Sequence, residues 1–298
     1  MNQLQYERER IALGDQLRTL RKSKEIRGVD LAERAGISQS KLSKIETGAL
    51  IPSTDDLRHI FSVLNPPRPD AQKLKEWARA LRTEYVSWRF GHRKGFGAKQ
   101  IEVRELERQA IRIRDFEVAV VPGLLQIADY ARRVMTLANV TRQSDLEKAL
   151  GLRMQRQQIL FEPGHQFEFL ITESAAMSRF CEPSVVTRQL DRLRFLFDVQ
   201  NVKIGFIPSR ALLPRIPQHS FAVFDSSVAT FETLTGEIST IDERDVELYN
   251  TLFDDLASAA LFGVDAASFL DECKQLLHRP NGNCFQAPEP NRLDLLER

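Results

Sequence analysis

Apolar residues return at helical spacing in short segments across residues 10–64, and each segment ends on a residue that stops a helix. Leu13, Leu17 and Leu20 fall at i, i+4 and i+7 and predict a first helix with a single apolar stripe. From about Val29 to Ala35 a second helix turns Leu31, Ala32 and Ala35 inward. Gly36 follows, where a left-handed backbone costs little, and Ile37 plugs the corner. Ser38 is a good N-cap for a third helix, in which Leu42 and Ile45 face back to the core. Gly48 stops that helix, Pro52 precedes a fourth, and Leu57, Ile60, Phe61 and Leu64 complete the stripe.

Asn65-Pro66-Pro67-Arg68-Pro69 is a strong breaker and predicts a domain boundary. From Asp70 to about Trp88 the pattern is helical again, with Leu74, Trp77, Ala78 and Leu81 on one face. Gly91 to Gly97 reads as a loop, and Ala98 to Arg114 as a helix rich in Glu and Arg. Beyond it, helices are predicted at 124–138, 144–161, 185–198, 243–261 and 266–277. Strands are predicted at 167–172, 202–207, 221–224 and 229–233, where apolar and β-branched residues cluster. The expected organisation is a head over residues 1–66, a helical linker region over 67–114, an α+β domain over 115–280 and a polar tail over 281–298. The head is expected to be all-α with about five helices, after a polar lead at residues 1–9.

Charge sharpens this division. Residues 1–114 hold 24 Lys and Arg against 15 Asp and Glu, a net +9, and the remainder holds 18 against 26, a net −8. A basic head suits a polyanionic partner. No apolar run approaches the ~18 residues of a membrane span, and MNQLQYERER is no secretory signal. A cytoplasmic protein with no membrane partner is expected. The three cysteines, Cys181, Cys273 and Cys284, form neither a disulfide framework nor a metal-binding pair. The five histidines are scattered, and Ser174 beside Glu173 lacks a nearby His and elbow glycines. Neither enzymatic activity nor a cofactor or metal is expected.

The third helix leaves one polar face: Gln39, Ser40, Lys41, Ser43 and Lys44. Lying in the position of a recognition helix (residues 38–47), it fits a DNA major groove with its first turn foremost. The Gln39 carboxamide can pair bidentately with adenine, and Lys41 and Lys44 can donate to guanine or to phosphate. Ser40 and Ser43 are short enough to approach bases or backbone. Gln39 and Lys41 are expected to serve DNA binding without supporting the fold.

The segment LRTLRKSKEIRGVDLAERAGISQSKLSKIETGALIPS closely resembles the xenobiotic-response-element (XRE) family of helix-turn-helix domains, related to lambdoid phage repressors. The resemblance implies a lambda-repressor-like fold, an operator DNA partner and a structural ion pair between Arg21 and Glu46. Where many members carry a phosphate-binding glutamine, Gly28 and Val29 stand here, so a backbone N–H at that helix start would serve instead. Arg18, Lys22, Lys24 and Arg27 are candidate phosphate partners or ordinary surface charges. Val121-Pro122-Gly123-Leu124-Leu125-Gln126 with Asp129-Tyr130-Ala131, and Arg153 to Gln157, resemble signatures of the large domain of antitoxin-like, WhiJ-type regulators of streptomycetes and other actinobacteria. That likeness implies a homodimeric transcription regulator, or an antitoxin that binds a small cognate protein and autoregulates its operon. A small-molecule effector is a further possibility it leaves open. PGLLQ reads either as a packing corner or as part of a ligand or partner groove lined by Tyr130, Arg153, Arg156 and Glu173. Arg153 and Arg156, one turn apart, face the same way and could bind a carboxylate, an acidic partner or glutamates of this chain.

Overall fold

The computed structural model describes residues 3–87, 95–139 and 144–278. The polar tail, most of the loop expected at 91–97, and Cys284 lie outside the described residues. Five helices open the chain: α1 (Gln3–Ser23), α2 (Gly28–Arg34), α3 (Gln39–Glu46), α4 (Thr54–Leu64) and α5 (Arg68–Leu81). The predicted stripes meet in one cluster that includes Leu13, Leu17, Leu31, Leu42, Ile45, Leu57 and Ile60. Leu74, Ala78 and Leu81 of α5 belong to the same cluster, so this helix completes the head's core. The lead is helical from Gln3 onward, and Tyr6 donates its hydroxyl to the Leu81 carbonyl at 2.8 Å.

Local chemistry accounts for the helix ends. Gly36 and Gly48 take positive φ, +64° and +71°, where a side chain would be strained. Ser38 caps α3 through a bond from the Lys41 amide at 3.1 Å. Ser53 and Asp56 form a reciprocal capping box at the start of α4. Gly14 lets α1 cross α3 closely, since a Cβ there would lie 2.6 Å from the Ile45 carbonyl oxygen.

The helix after the breaker does not run to Trp88. It stops at Leu81, and β1 (Thr83–Ser87) follows at once. Next come α6 (Gly95–Gln109), β2 (Arg112–Glu117), a 3-10 turn at Gly123–Leu125, α7 (Ala128–Ala138), α8 (Leu146–Arg156) and a second 3-10 turn at Gln157–Phe161. The chain continues through β3 (Gln166–Thr172), α9 (Glu173–Met177), α10 (Pro183–Leu196), β4 (Val202–Ile207), β5 (Phe221–Phe224), β6 (Val228–Thr233), β7 (Gly236–Thr240), α11 (Glu243–Ala257) and α12 (Gly263–His278). The α+β character of the C-terminal region is as expected, but β1, β2 and β7 stand where no strand was predicted. Arg112 and Arg114, read as the end of a helix, are strand residues.

The seven strands form one sheet in the order β1-β7-β6-β5-β2-β3-β4. β2, β3 and β4 run parallel, and the remaining pairings are antiparallel. Alternation along the strands feeds two cores. Phe167, Phe169 and Ile171 pack with Leu190, Leu193 and Leu270 of α10 and α12. Phe116, Leu170 and Val223 pack with Val246, Phe253 and Leu256 of α11. Both faces are covered, as a sheet with parallel strands requires.

Arg82 joins the head to the sheet. Its guanidinium donates to the Pro52 carbonyl at 2.5 Å and Thr54 Oγ1 at 2.9 Å, both beside the start of α4, and to Asp242 Oδ2 at 3.3 Å. Arg82 and Asp242 are 5% and 3% exposed, so the pair is sealed between the two parts.

Candidate nucleic-acid interface and interior cavity

On α3, Leu42 and Ile45 are buried while Gln39, Ser40, Ser43 and Lys44 are exposed. The helix is therefore fixed by one side and free on the other. Arg21 fixes its end: Nε lies 2.6 Å from Glu46 Oε1 and Nη2 2.8 Å from Oε2, while Nη1 donates to the Ile26 carbonyl at 2.8 Å. Such a fork sets the angle between α1 and α3 more than it adds stability.

Lys41 departs from its expected role. Its amine sits 2.7 Å from Asp56 Oδ1, and that carboxylate is 6% exposed. Burial alone would raise the Asp56 carboxyl, but hydrogen bonds from Lys41 and Ser53 hold it below the usual carboxylate range. Lys41 thus links α3 to α4 and supports the fold, because removing it leaves a buried carboxylate uncompensated. Arg27 is also engaged, with Nε and Nη2 at 2.9 and 2.8 Å from the two Asp30 oxygens. Arg18, Lys22 and Lys24 are exposed. Gly28 opens α2 beside the Arg21 guanidinium, whose Cζ would lie 3.9 Å from a Cβ at this position, and no side chain caps the N-terminus of that helix.

The four residues expected to share a groove in the large domain are not brought together. Tyr130 is 1% exposed and its hydroxyl accepts from the Val121 amide at 3.1 Å, so it is sealed in the core. Glu173 accepts from the Ser209 amide at 2.7 Å, at the carboxyl ends of β3 and β4. Only Arg153 and Arg156 line a cavity. PGLLQ is a packing corner: Gln126 donates to the Val121 carbonyl at 2.7 Å, and Gln157 Nε2 donates to the Gly123 and Gln126 carbonyls at 3.2 and 2.7 Å. The two sequence signatures are thus halves of one hydrogen-bonded unit.

The cavity, about 500 Å³, lies between α6, α8 and the sheet face formed by β2, β5, β6 and β7. Its size is that of a small-molecule site. Asp115 and Glu117 project from β2 at i, i+2, on one face. Glu232 and Glu237 are direct cross-strand partners on β6 and β7. Glu107 of α6 completes five carboxyl groups, set against Lys99, Arg153 and Arg156. Desolvation raises Glu107 and Asp115 to about 7, with Arg156 pulling the other way in both and Glu107 itself adding to the rise at Asp115. Glu117 is also raised, by burial and by its neighbour Asp115. Burial and the nearby Arg156 bring Arg153 down to about 10. The sequence singled out none of this acidic set as site residues: no strand was foreseen over 112–117 or 236–240, and Glu107 fell in a helix read only as rich in Glu and Arg.

No group of His, Cys, Asp or Glu that could hold a metal occurs among the described residues, and no helix among them is long and apolar enough to cross a membrane.

A short helix pair with a free polar third helix, locked by an arginine fork and followed by a mixed sheet, defines a helix-turn-helix protein with a large α+β partner domain. The comparisons agree: a helix-turn-helix domain model matches residues 12–74. The chain belongs to the family described as "Domain of unknown function (DUF5753)", whose model covers residues 100–272. None of the curated proteins matches. Among solved structures, NucT from Helicobacter pylori is 8% identical, with a TM-score of 0.34 over 61% of this chain and 98% of its own. A phospholipase D family member, Nuc from Salmonella typhimurium, is 10% identical with a TM-score of 0.33, over 61% and 95%. The archaeal chromatin protein TrmBL2 is 13% identical with a TM-score of 0.32, over 69% and 66%. Likenesses at these scores support no inference about chemistry.

Proposed function

We propose that this chain is a sequence-specific DNA-binding transcription regulator that acts as a dimer, with α3 in the major groove and the DUF5753 domain supplying dimerisation and signal or partner input. One observation carries the reading: α3 is rigidly held by Leu42, Ile45 and the Glu46–Arg21 fork, while Gln39, Ser40, Ser43 and Lys44 stay exposed on its outer side. A helix fixed in this way presents its polar side chains in one orientation, which base reading demands. Exposed Arg18 and Lys22 on α1 flank that face and are suited to phosphate. Two heads are proposed because one recognition helix reads few base pairs, and half-sites about one helical turn apart suit a two-fold dimer. The XRE-type motif of the head and the signatures at 121–131 and 153–157 favour the WhiJ-type regulators of actinobacteria as a functional analogy.

The test begins with selection of bound duplexes from a random library by the full chain, followed by fluorescence anisotropy on the recovered sequence. Gln39→Ala is expected to weaken specific binding by about tenfold, equivalent to a bidentate contact of ~1–3 kcal/mol. Lys44→Ala is expected to weaken all duplexes alike and to reduce the salt slope by about one if Lys44 meets phosphate. Unaltered affinity in both variants contradicts the reading.

A further inference from the structure

We infer that the cavity above β2, β5, β6 and β7 is a binding site for a small organic cation bearing primary ammonium groups. This goes beyond DNA binding and names the input of the proposed regulator; its role as that input rests on the function proposed above.

The sign of the ligand follows from which charges already have partners. Two of the three cations in the cavity are ion-paired, and the third, Arg153, is held by two amide oxygens. Lys99 pairs with Glu237. Arg156 Nε lies 3.0 Å from Glu107 Oε2, and its Nη1 donates to Gln100 Oε1 at 3.0 Å. Arg153 donates to Gln126 Oε1 at 2.9 Å and Gln100 Oε1 at 3.3 Å. The carboxyls at the sheet side are differently placed. Asp115, Glu117 and Glu232 have no cationic partner closer than 4 Å among the described residues, and all three line the open space.

A second, independent observation lies on the helix side. Glu107 is 3% exposed and Arg156 is 8% exposed, yet Glu107 Oε2 and Arg156 Nε make no hydrogen bond, although they are 3.0 Å apart. A buried pair with poor mutual geometry, bordering a cavity, leaves hydrogen-bonding capacity unmet on both partners at the cavity wall. Glu232 lies directly across from Glu237, and because Lys99 is taken up by Glu237, Glu232 is the member of that acidic pair left without a cation. An ammonium group offers three donors and a compact positive charge, which fits several convergent carboxylates better than a planar or neutral group does. His219 stacked on Phe231, with ring centroids 4.3 Å apart, provides a flat wall for the ligand's carbon frame. An anionic ligand would find Arg156 paired with Glu107, Arg153 already bonded to two amide oxygens, and three carboxyls opposing it.

The site is also placed to reach the head. Glu237 is on β7, whose Thr240 pairs with Thr83 of β1, one residue beyond the Arg82 joint.

Isothermal calorimetry and thermal melting of the full chain, without DNA, test the inference with putrescine, spermidine and glucosamine as probes. The uncharged diol of putrescine's length and succinate are run at the same ionic strength. At least one amine is expected to bind and to raise Tm, since a ligand of the native state alone stabilises it. The diol and succinate are expected to do neither. The double variant Asp115→Asn, Glu232→Gln is expected to lose at least ~tenfold in amine affinity. Without ligand its Tm at pH 8 should equal or exceed that of the unaltered chain, because crowded carboxylates are removed, so weak binding cannot be ascribed to unfolding. Binding of succinate in place of the amines, amine affinity unchanged in the double variant, or no binding of any of the three amines overturns the inference. Because no DNA is present, this outcome is separate from success or failure of the DNA-binding proposal.

Discussion

Two lysines one turn apart on α3 have different jobs, and the difference is set by a single neighbour. Lys41 faces Asp56 at 2.7 Å; Lys44 is exposed. Lys41→Ala should therefore destabilise the head by about 1–2 kcal/mol, the full cost of breaking a buried pair being discounted because the lysine is 42% exposed. Lys44→Ala should change stability by no more than ~0.5 kcal/mol. Urea unfolding monitored by circular dichroism separates the two, and equal losses would remove the distinction. Asp115 and Glu107 give a residue-scale prediction in pH. Both are raised to about 7, Asp115 by desolvation and by Glu107 and Glu232 against the pull of Arg156, and Glu107 by desolvation against Arg156 and Arg153. In this range the folded chain holds protons that the unfolded chain releases, so stability falls as pH rises. The contribution is complete below about pH 4 and is lost as pH passes 7. Tm should drop by several degrees between pH 5 and pH 8, and Asp115→Asn should flatten the profile; an identical slope in the variant would show that Asp115 does not carry it.

At the scale of elements, close approach between helices places the interface. The Cβ of an alanine at position 14 would meet the Ile45 carbonyl oxygen at 2.6 Å and the Gly48 amide nitrogen at 2.8 Å, both backbone atoms that a rotamer change cannot clear. Gly14→Ala should cost roughly 2 kcal/mol or more in stability and, by tilting α3, lower DNA affinity as well. Chemical denaturation reads the first effect, anisotropy the second; a variant as stable as the parent would show that α1 and α3 can separate freely. Elements like these were legible in the sequence because helical periodicity and glycine stops agree along residues 10–64. The strands β1, β2 and β7 were not. In β2, Arg114 is buried yet charged, holding Asp254 at 2.6 Å and stacking over Phe253 at 4.9 Å, while Asp115 and Glu117 face a polar cavity. Buried ions on both faces erase the apolar alternation by which a strand is recognised. The short GEIST segment of β7 likewise puts Glu237 inward against Lys99. The same polar residues that hid these strands build the cavity. On α3 the exposed face was readable, but the Lys41–Asp56 pair was not, because the partners are 15 positions apart and meet only through the packing of α3 on α4.

For the molecule as a whole, the head and the sheet are one hydrogen-bonded assembly rather than two parts on a loose tether. Arg82 contacts residues at the start of α4 and Asp242 at once, the Ile241 amide donates to the Arg82 carbonyl at 2.9 Å, and β1 continues directly into the sheet. Arg82→Ala leaves Asp242 buried without that cation and should destabilise the chain by about 3 kcal/mol. It should also split a single calorimetric transition into two as the head melts ahead of the sheet; one unshifted transition would mean that the joint contributes nothing. The joint runs from β7 and β1 to the start of α4, where Asp56 in turn holds Lys41 of α3. The central claim, that α3 reads bases, is tested most directly by comparing the DNA motif selected by the full chain with that selected by Gln39→Ala. A motif that relaxes at one position in each half-site while the rest is kept is predicted. An identical motif at every position, from a folded variant, would contradict it.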